Sequence, residues 1–210
     1  MLKYGKRKGG FMKYLNKILF GFLLVISINM LYVGVAHAAD AYIVYDDPNG
    51  FPSQARYLSS TYSPGAKIHY VRSSTDFVSA WNRIAAGPKI DNLFLLLHGG
   101  TGVLYFYNES GWSDFNQLNY LGSVLNGNTM LLSCYGGDGR SSSVAYQLSK
   151  RTGSAVISAL NSAVNYNWLL NKKPDLDDKK NGTWARISAI KGRTYKCVEL
   201  GTSWKYSYLN

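Results

Sequence analysis

Two apolar runs decide the reading of this chain: residues 93–100, "LFLLLHGG", and residues 130–137, "MLLSCYGG". Each ends abruptly at a reactive side chain, His98 in the first and Cys134 in the second, with two glycines close behind. An apolar stretch that does not alternate suits a parallel strand covered on both faces. The two runs therefore predict two buried strands that end in chemistry.

Working outward, the neighbouring segments alternate between strand and helix patterns. "AYIVYDD" (41–47) and "KIHYVRS" (67–73) are rich in β-branched and aromatic residues and predict strands. "PNGFPS" (48–53) predicts a turn, and "QARYLSSTY" (54–62) a short helix with Ala55, Leu58 and Tyr62 on one side. In "STDFVSAWNRIAAG" (74–87), Phe77, Val78, Trp81, Ile84 and Ala85 recur at helical spacing, with Ser74 as cap and Gly87 as stop. "VLYFYNESGW" (103–112) predicts a hairpin or edge strand, and "SDFNQLNYLGSVL" (113–125) a helix capped by Ser113. "SSSVAYQLSKRTG" (141–153) predicts a helix closed by Gly153, followed by a strand in "SAVISAL" (154–160). Beyond residue 161 the pattern turns β-rich, with "TWARISAI" and "YKCVELG" as an antiparallel hairpin around "KGRT". Strands alternating with helices imply an α/β fold, a three-layer α/β/α sandwich with a mostly parallel sheet. In such sheets ligands sit beyond the carboxyl ends of the strands, which is where His98 and Cys134 fall.

The amino terminus reads differently from the rest. Six basic residues (Lys3, Lys6, Arg7, Lys8, Lys13, Lys17) precede "ILFGFLLVISINMLYVGV" and then "AHAAD". A positive head, an apolar centre and an A-x-A site make a secretory signal, with cleavage after Ala38. The expected organisation is a leader over residues 1–38 and one domain over 39–210, with its β-rich extension from about 161. The apolar run is also long enough to remain as an anchor, which is the sole membrane contact expected. The protein is therefore expected to be exported, periplasmic or secreted. Of 23 Lys and Arg against 12 Asp and Glu, the leader takes six, so the domain is only modestly basic. That balance does not suggest a nucleic-acid partner. "KKPDLDDKK" (172–180) mixes both signs and reads as a solvated loop.

In an oxidising compartment the two cysteines, Cys134 and Cys197, can form one disulfide. The competing reading makes Cys134 a nucleophile. A thiol becomes reactive when a nearby imidazole takes its proton, and glycines beside it leave amide N–H groups free for an oxyanion. An α/β-hydrolase is excluded: no histidine follows Cys134, and Leu132 stands where the nucleophile elbow needs glycine. No paired His/Cys spacing suggests a metal, and no phosphate-binding loop suggests a nucleotide, so no cofactor is expected. The aromatic-rich stretches "NYNWLL", "TSWKYSYL" and "VLYFYNESGW" read either as a glycan-binding surface or as packing, and His69 as structural.

His-Gly, then a small residue and Cys, each closing an apolar strand, resembles the caspase-like cysteine peptidases. That group includes caspases, metacaspases, gingipains and the bacterial CHAT domains. The stretch "GRSSSVAYQLSKRTGSAVISA" (139–159) also resembles a bacterial caspase-like subgroup of unassigned function. The resemblance covers roughly residues 41–160. It implies a peptide or protein substrate and a His98–Cys134 dyad working through a thioester. It further implies an oxyanion hole from the Gly99 and Cys134 N–H groups, with no third catalytic residue required. Selection of the substrate side chain would fall to the segment after the first strand, so Asp46 or Asp47 would receive Arg or Lys. Asp138 is a further candidate through its nearness to Cys134, and the aspartates before Pro48 also suit a turn. The interval from His98 to Cys134 is short for the family and implies a trimmed hairpin and helix. The alternative is a caspase-like domain without catalysis, serving as a binding or structural module with Cys134 and Cys197 bridged.

Overall fold

The computed structural model describes residues 38–47, 50–165, 174–177, 182–190, 194–203 and 205–209. The expected leader and most of the "KKPDLDDKK" loop lie outside the described residues, as does all of "KGRT" except Thr194. β1 (Ala41–Tyr45), one strand in from an edge of the main sheet, has every residue buried. It pairs in parallel with β2 (Lys67–Val71) on one side and β3 (Leu93–Leu96) on the other. β3 pairs in parallel with β6 (Thr129–Leu132), and β6 with β7 (Val156–Leu160). β10 (Thr183–Ile190) and β11 (Thr194–Gly201) then add antiparallel, giving seven strands in the order β11-β10-β7-β6-β3-β1-β2. The β-rich carboxyl-terminal segment thus completes the main sheet. β3 and β6 are buried throughout, as their unbroken apolar runs predict.

Three α-helices are described: α1 (Phe51–Tyr62), α2 (Ser74–Ala85) and α3 (Val144–Thr152). α2 and α3 share one layer with the chain between them. Trp81 Nε1 donates to the Asn119 carbonyl at 2.8 Å, and Leu121 N to the Arg151 carbonyl at 2.7 Å. The other layer holds α1 and a carboxyl-terminal 3₁₀ turn (Tyr206–Leu209), where Tyr62 stacks on Tyr206 with centroids 5.1 Å apart. This division is the one right-handed crossovers require, because β1→β2 moves one way across the sheet and later connections move the other. The molecule is therefore the α/β/α sandwich expected.

The local differences have physical reasons. α1 begins at Phe51, so part of the expected turn is helix, with Pro52 in its first turn where a missing N–H costs nothing. α2 is capped by Ser73 rather than Ser74: its side chain accepts from Asp76 N while Asp76 accepts from Ser73 N. α3 matches its pattern, with Ser143 as N-cap and Gly153 left-handed at φ 69° as C-cap. The helix expected over 113–125 is instead a single 3₁₀ turn (Phe115–Gln117). Its apolar residues Phe115, Leu118, Leu121 and Leu125 are buried, but part of its backbone bonds to other segments. Asn82 donates to the Gln117 carbonyl and accepts from Asn119 N, so α2 takes groups that a helix would need.

Candidate active site

Beyond Leu96 the chain leaves the main sheet. His98–Gly100 forms β4, which pairs antiparallel with β5 (Val103–Tyr105) as a small hairpin turning at Gly102, φ 76°. The strand predicted through His98 is therefore two strands, one buried and one projecting from its carboxyl end. On the neighbouring strand Cys134 lies two residues past the end of β6. Leu96 pairs with Leu132, and Leu97 N donates to the Leu132 carbonyl at 3.4 Å, so the two strands stay neighbours up to the point where each ends. The two ends touch at Gly99. A Cβ there would sit 2.9 Å from Ser133 Cβ and 3.3 Å from the Cys134 carbonyl oxygen.

His98 is held in place by β1. After Tyr45 the chain folds back, with Asp47 N donating to the Tyr45 carbonyl at 2.9 Å, a tight three-residue turn. This brings the buried Asp47 carboxylate to His98, with Oδ2 3.0 Å from Nε2. The imidazole packs edge-on against Phe51 at 4.7 Å and Tyr45 at 5.3 Å between centroids. Its side chain is nonetheless 47% exposed, and Nδ1 has no hydrogen-bond partner among the described residues. A carboxylate on one ring nitrogen selects the tautomer and orientation that leave the other nitrogen as base. Asp47, expected as a substrate contact, thus meets His98. The clue was available in the sequence: Asp47 follows a predicted parallel strand at the same edge as His98.

Cys134 is a half-buried free thiol that points toward the Val164 carbonyl at 4.0 Å. Val164 opens β8 (Val164–Asn165), which pairs with β9 (Asp175–Leu176) beside the site. No hydrogen bond joins Cys134 to His98 among the described residues. The disulfide to Cys197 is not formed. Cys197 pairs with Ile187 of β10, so β10 and β7 lie between it and β6. Three strand spacings make roughly 14 Å, twice the reach of a disulfide between Cα atoms.

The glycines serve packing as well as access. A Cβ on Gly136 would lie 2.5 Å from Ser158 Oγ, and one on Gly137 2.9 Å from the Ala159 carbonyl oxygen. "CYGG" is therefore pressed against β7, with Tyr135 left-handed at φ 53° to make the bend. Tyr135 N donates to the Ser162 carbonyl and Gly137 N to Ala159, whereas Cys134 N has no partner among the described residues. Gly99 N is similarly placed. Leu104 exchanges both backbone bonds with Trp112, so its pairing with Gly99 is a non-hydrogen-bonded one and the Gly99 N–H turns away from the hairpin.

The remaining candidates are engaged elsewhere. Asp46 forms an ion pair with Arg72, Oδ2 to Nη2 2.6 Å. A cleft of about 490 Å³ beside these aspartates also takes in Arg56 and Ser53. Asp138 accepts from Asn161 N at 2.6 Å and so pins the loop after β7. Most described aromatic residues pack: Trp112 meets Phe77, Phe106 and Phe115, and Trp184 is fully buried. Tyr105 and Tyr107 remain exposed next to the hairpin. Among the described residues no three of His, Cys, Asp and Glu gather closely enough to hold a metal ion.

No protein-family model, no curated protein and no solved structure matches this chain. The functional reading accordingly rests on the geometry of the two strand ends.

Proposed function

We propose that the chain is an exported cysteine peptidase of the caspase-like kind, with Cys134 as nucleophile and His98 as base. The observation that carries this reading is the imidazole at the end of β3. One nitrogen is taken by a buried carboxylate, the other has no partner among the described residues, and the thiol lies two residues past the end of the neighbouring strand. Two N–H groups, those of Gly99 and Cys134, have no backbone partner among the described residues and lie beside the same strand ends. Substrate binding would draw the ring and thiol together, as catalytic hydrogen bonds often tighten only in the complex.

In the reaction, Cys134 Sγ attacks the peptide carbonyl carbon while its proton passes to His98 Nδ1. The two N–H groups hold the oxyanion, and His98 gives the proton to the leaving amine as the C–N bond breaks. Water then donates a proton to His98 and attacks the thioester, releasing the new carboxylate and restoring the thiol. Asp47 keeps the imidazole oriented throughout and stabilises its charged form. Selection for Arg or Lys would require Asp46 to exchange Arg72 for the substrate, since that carboxylate is already paired.

The test is cleavage of a peptide library by the full chain, read by mass spectrometry. Cys134→Ala should abolish cleavage, and iodoacetamide should label Cys134 faster than Cys197. Full cleavage by a folded Cys134→Ala protein would sink this mechanism.

A further inference from the structure

The opposite end of the sheet carries a second feature, independent of Cys134. A cavity of about 230 Å³ opens between the last turn of α2, the loop into β3 and the first residues of β1 and β2. Its floor is apolar, built from Ala41, Ile84 and Ile90. Its rim carries Lys67, Arg83 and Lys89. None of these three cations forms an ion pair among the described residues, where the pairs found are Arg72–Asp46 and His98–Asp47.

One carboxylate, Asp40, also lines the cavity, but it is committed elsewhere. It accepts from Asn92 N at 2.9 Å, Asn92 Nδ2 at 3.2 Å and Tyr206 OH at 2.8 Å, and from the Ser63 hydroxyl. The remaining ionisable group is His69. Its pKa is lowered by burial, and next by the charges of Arg83 and Lys67. The cavity lining thus carries three cations against the one Asp40 carboxylate, a net positive surrounding for the ring. Arg83 could be accounted for by the negative end of the α2 dipole, being in that helix's last turn. That account does not extend to Lys67, which sits on a strand, nor to the cavity.

We infer that this cavity is a binding site for a small organic anion, an apolar ring or short chain bearing one carboxylate. An apolar cavity of about 150 Å³ is sufficient for a benzene ring. The space here admits such a body on Ala41, Ile84 and Ile90 and leaves the carboxylate at the rim. Charge complementarity supplies the orientation, since a cation–carboxylate bond is stronger than a neutral one.

The experiment is calorimetric titration of the full chain with phenylacetate, with benzyl alcohol as the uncharged match. Phenylacetate should bind saturably and at least about tenfold more tightly than benzyl alcohol, the difference of one charge-assisted bond. Arg83→Met with Lys89→Met, two exposed positions, should remove that difference and leave benzyl alcohol unchanged. Saturating phenylacetate should also shift the titration of His69, followed by NMR in the unmodified protein, to higher pH. Equal binding of the two ligands, undiminished binding by the double variant, or an unmoved His69 titration would each overturn the site.

Discussion

β1 has a buried carboxylate at each end, and the two are used in different ways. Asp40, just before the strand, accepts from Ser63, Asn92 and Tyr206, so it joins the end of α1, the entry to β3 and the carboxyl-terminal turn. Asp47, just after the strand, presents its carboxylate to a half-exposed imidazole. The backbone shows the same contrast. At the amino-terminal edge the ladder continues outward, with Ala41 N bonding to Asn92, Lys67 N to Asp40 and Thr129 N to Ala155. At the carboxyl-terminal edge the ladder runs on only as far as Asp46 N to Val71 and Leu97 N to Leu132, and the chain then turns out of the sheet at His98 and Cys134, whose neighbouring N–H groups on Gly99 and Cys134 have no backbone partner among the described residues. Under the proposed function the carboxyl-terminal edge would hold an oxyanion through its backbone, whereas the amino-terminal edge would meet a ligand through side chains.

The largest effect should come from cutting the structural carboxylate. Asp40→Ala leaves the Asn92 and Tyr206 donors without their acceptor in a buried place, and should cost about 3–5 kcal/mol. Urea unfolding would show this as a fall in midpoint, while the folded fraction keeps its specific activity. If activity per folded molecule fell along with stability, the separation between the two ends of β1 would be lost.

Asp47→Asn should do the reverse. The shape of the side chain is kept, but an amide no longer favours the imidazole tautomer with its base at Nδ1, and it cannot stabilise the imidazolium. Cleavage should drop about a hundredfold, with little change in unfolding midpoint. The pH–rate profile distinguishes positioning from structure, because its acidic limb, where the base becomes protonated, should move when the partner of His98 changes. An unchanged profile at reduced rate would reassign Asp47 to packing.

The two edges were not equally legible from sequence. The runs ending at His98 and Cys134 announce themselves, because a strand buried on both faces must be apolar at every position. Parallel pairing then brings their carboxyl ends together without further information. Ser143 and Gly153 are similarly local signals, and α3 lies between them as read. The contact of Asp47 with His98 is harder to read, since a pair of aspartates before proline does not reveal which carboxylate turns inward. The segment 113–125 misled because its leucines are buried as a helix face would be, while Asn82, distant in sequence, captures its backbone. The cavity was invisible: Lys67, Arg83 and Lys89 come from a strand, a helix and a loop, and only folding places them around one space.

The smallest effect tests the electrostatics of the amino-terminal edge. His69 has a lowered pKa in the fold, chiefly through burial, so on acidification the unfolded chain takes up this proton first. Its contribution to stability is then complete above about pH 6.5, the ordinary histidine value, and is lost as pH falls from there through the depressed folded value. His69→Gln should flatten that part of the curve, leaving the protein less sensitive to pH between neutrality and mild acid. Other groups titrate over the same range, so the informative quantity is the difference between the two proteins' unfolding midpoints at each pH. The sign of that difference is decisive. A histidine stabilised in its charged form would gain stability on acidification and reverse the slope, and the field around Lys67 and Arg83 would then be compensated. With phenylacetate bound, the same reasoning predicts a shallower slope in the unmodified protein, because a carboxylate at the rim cancels part of the field that His69 experiences.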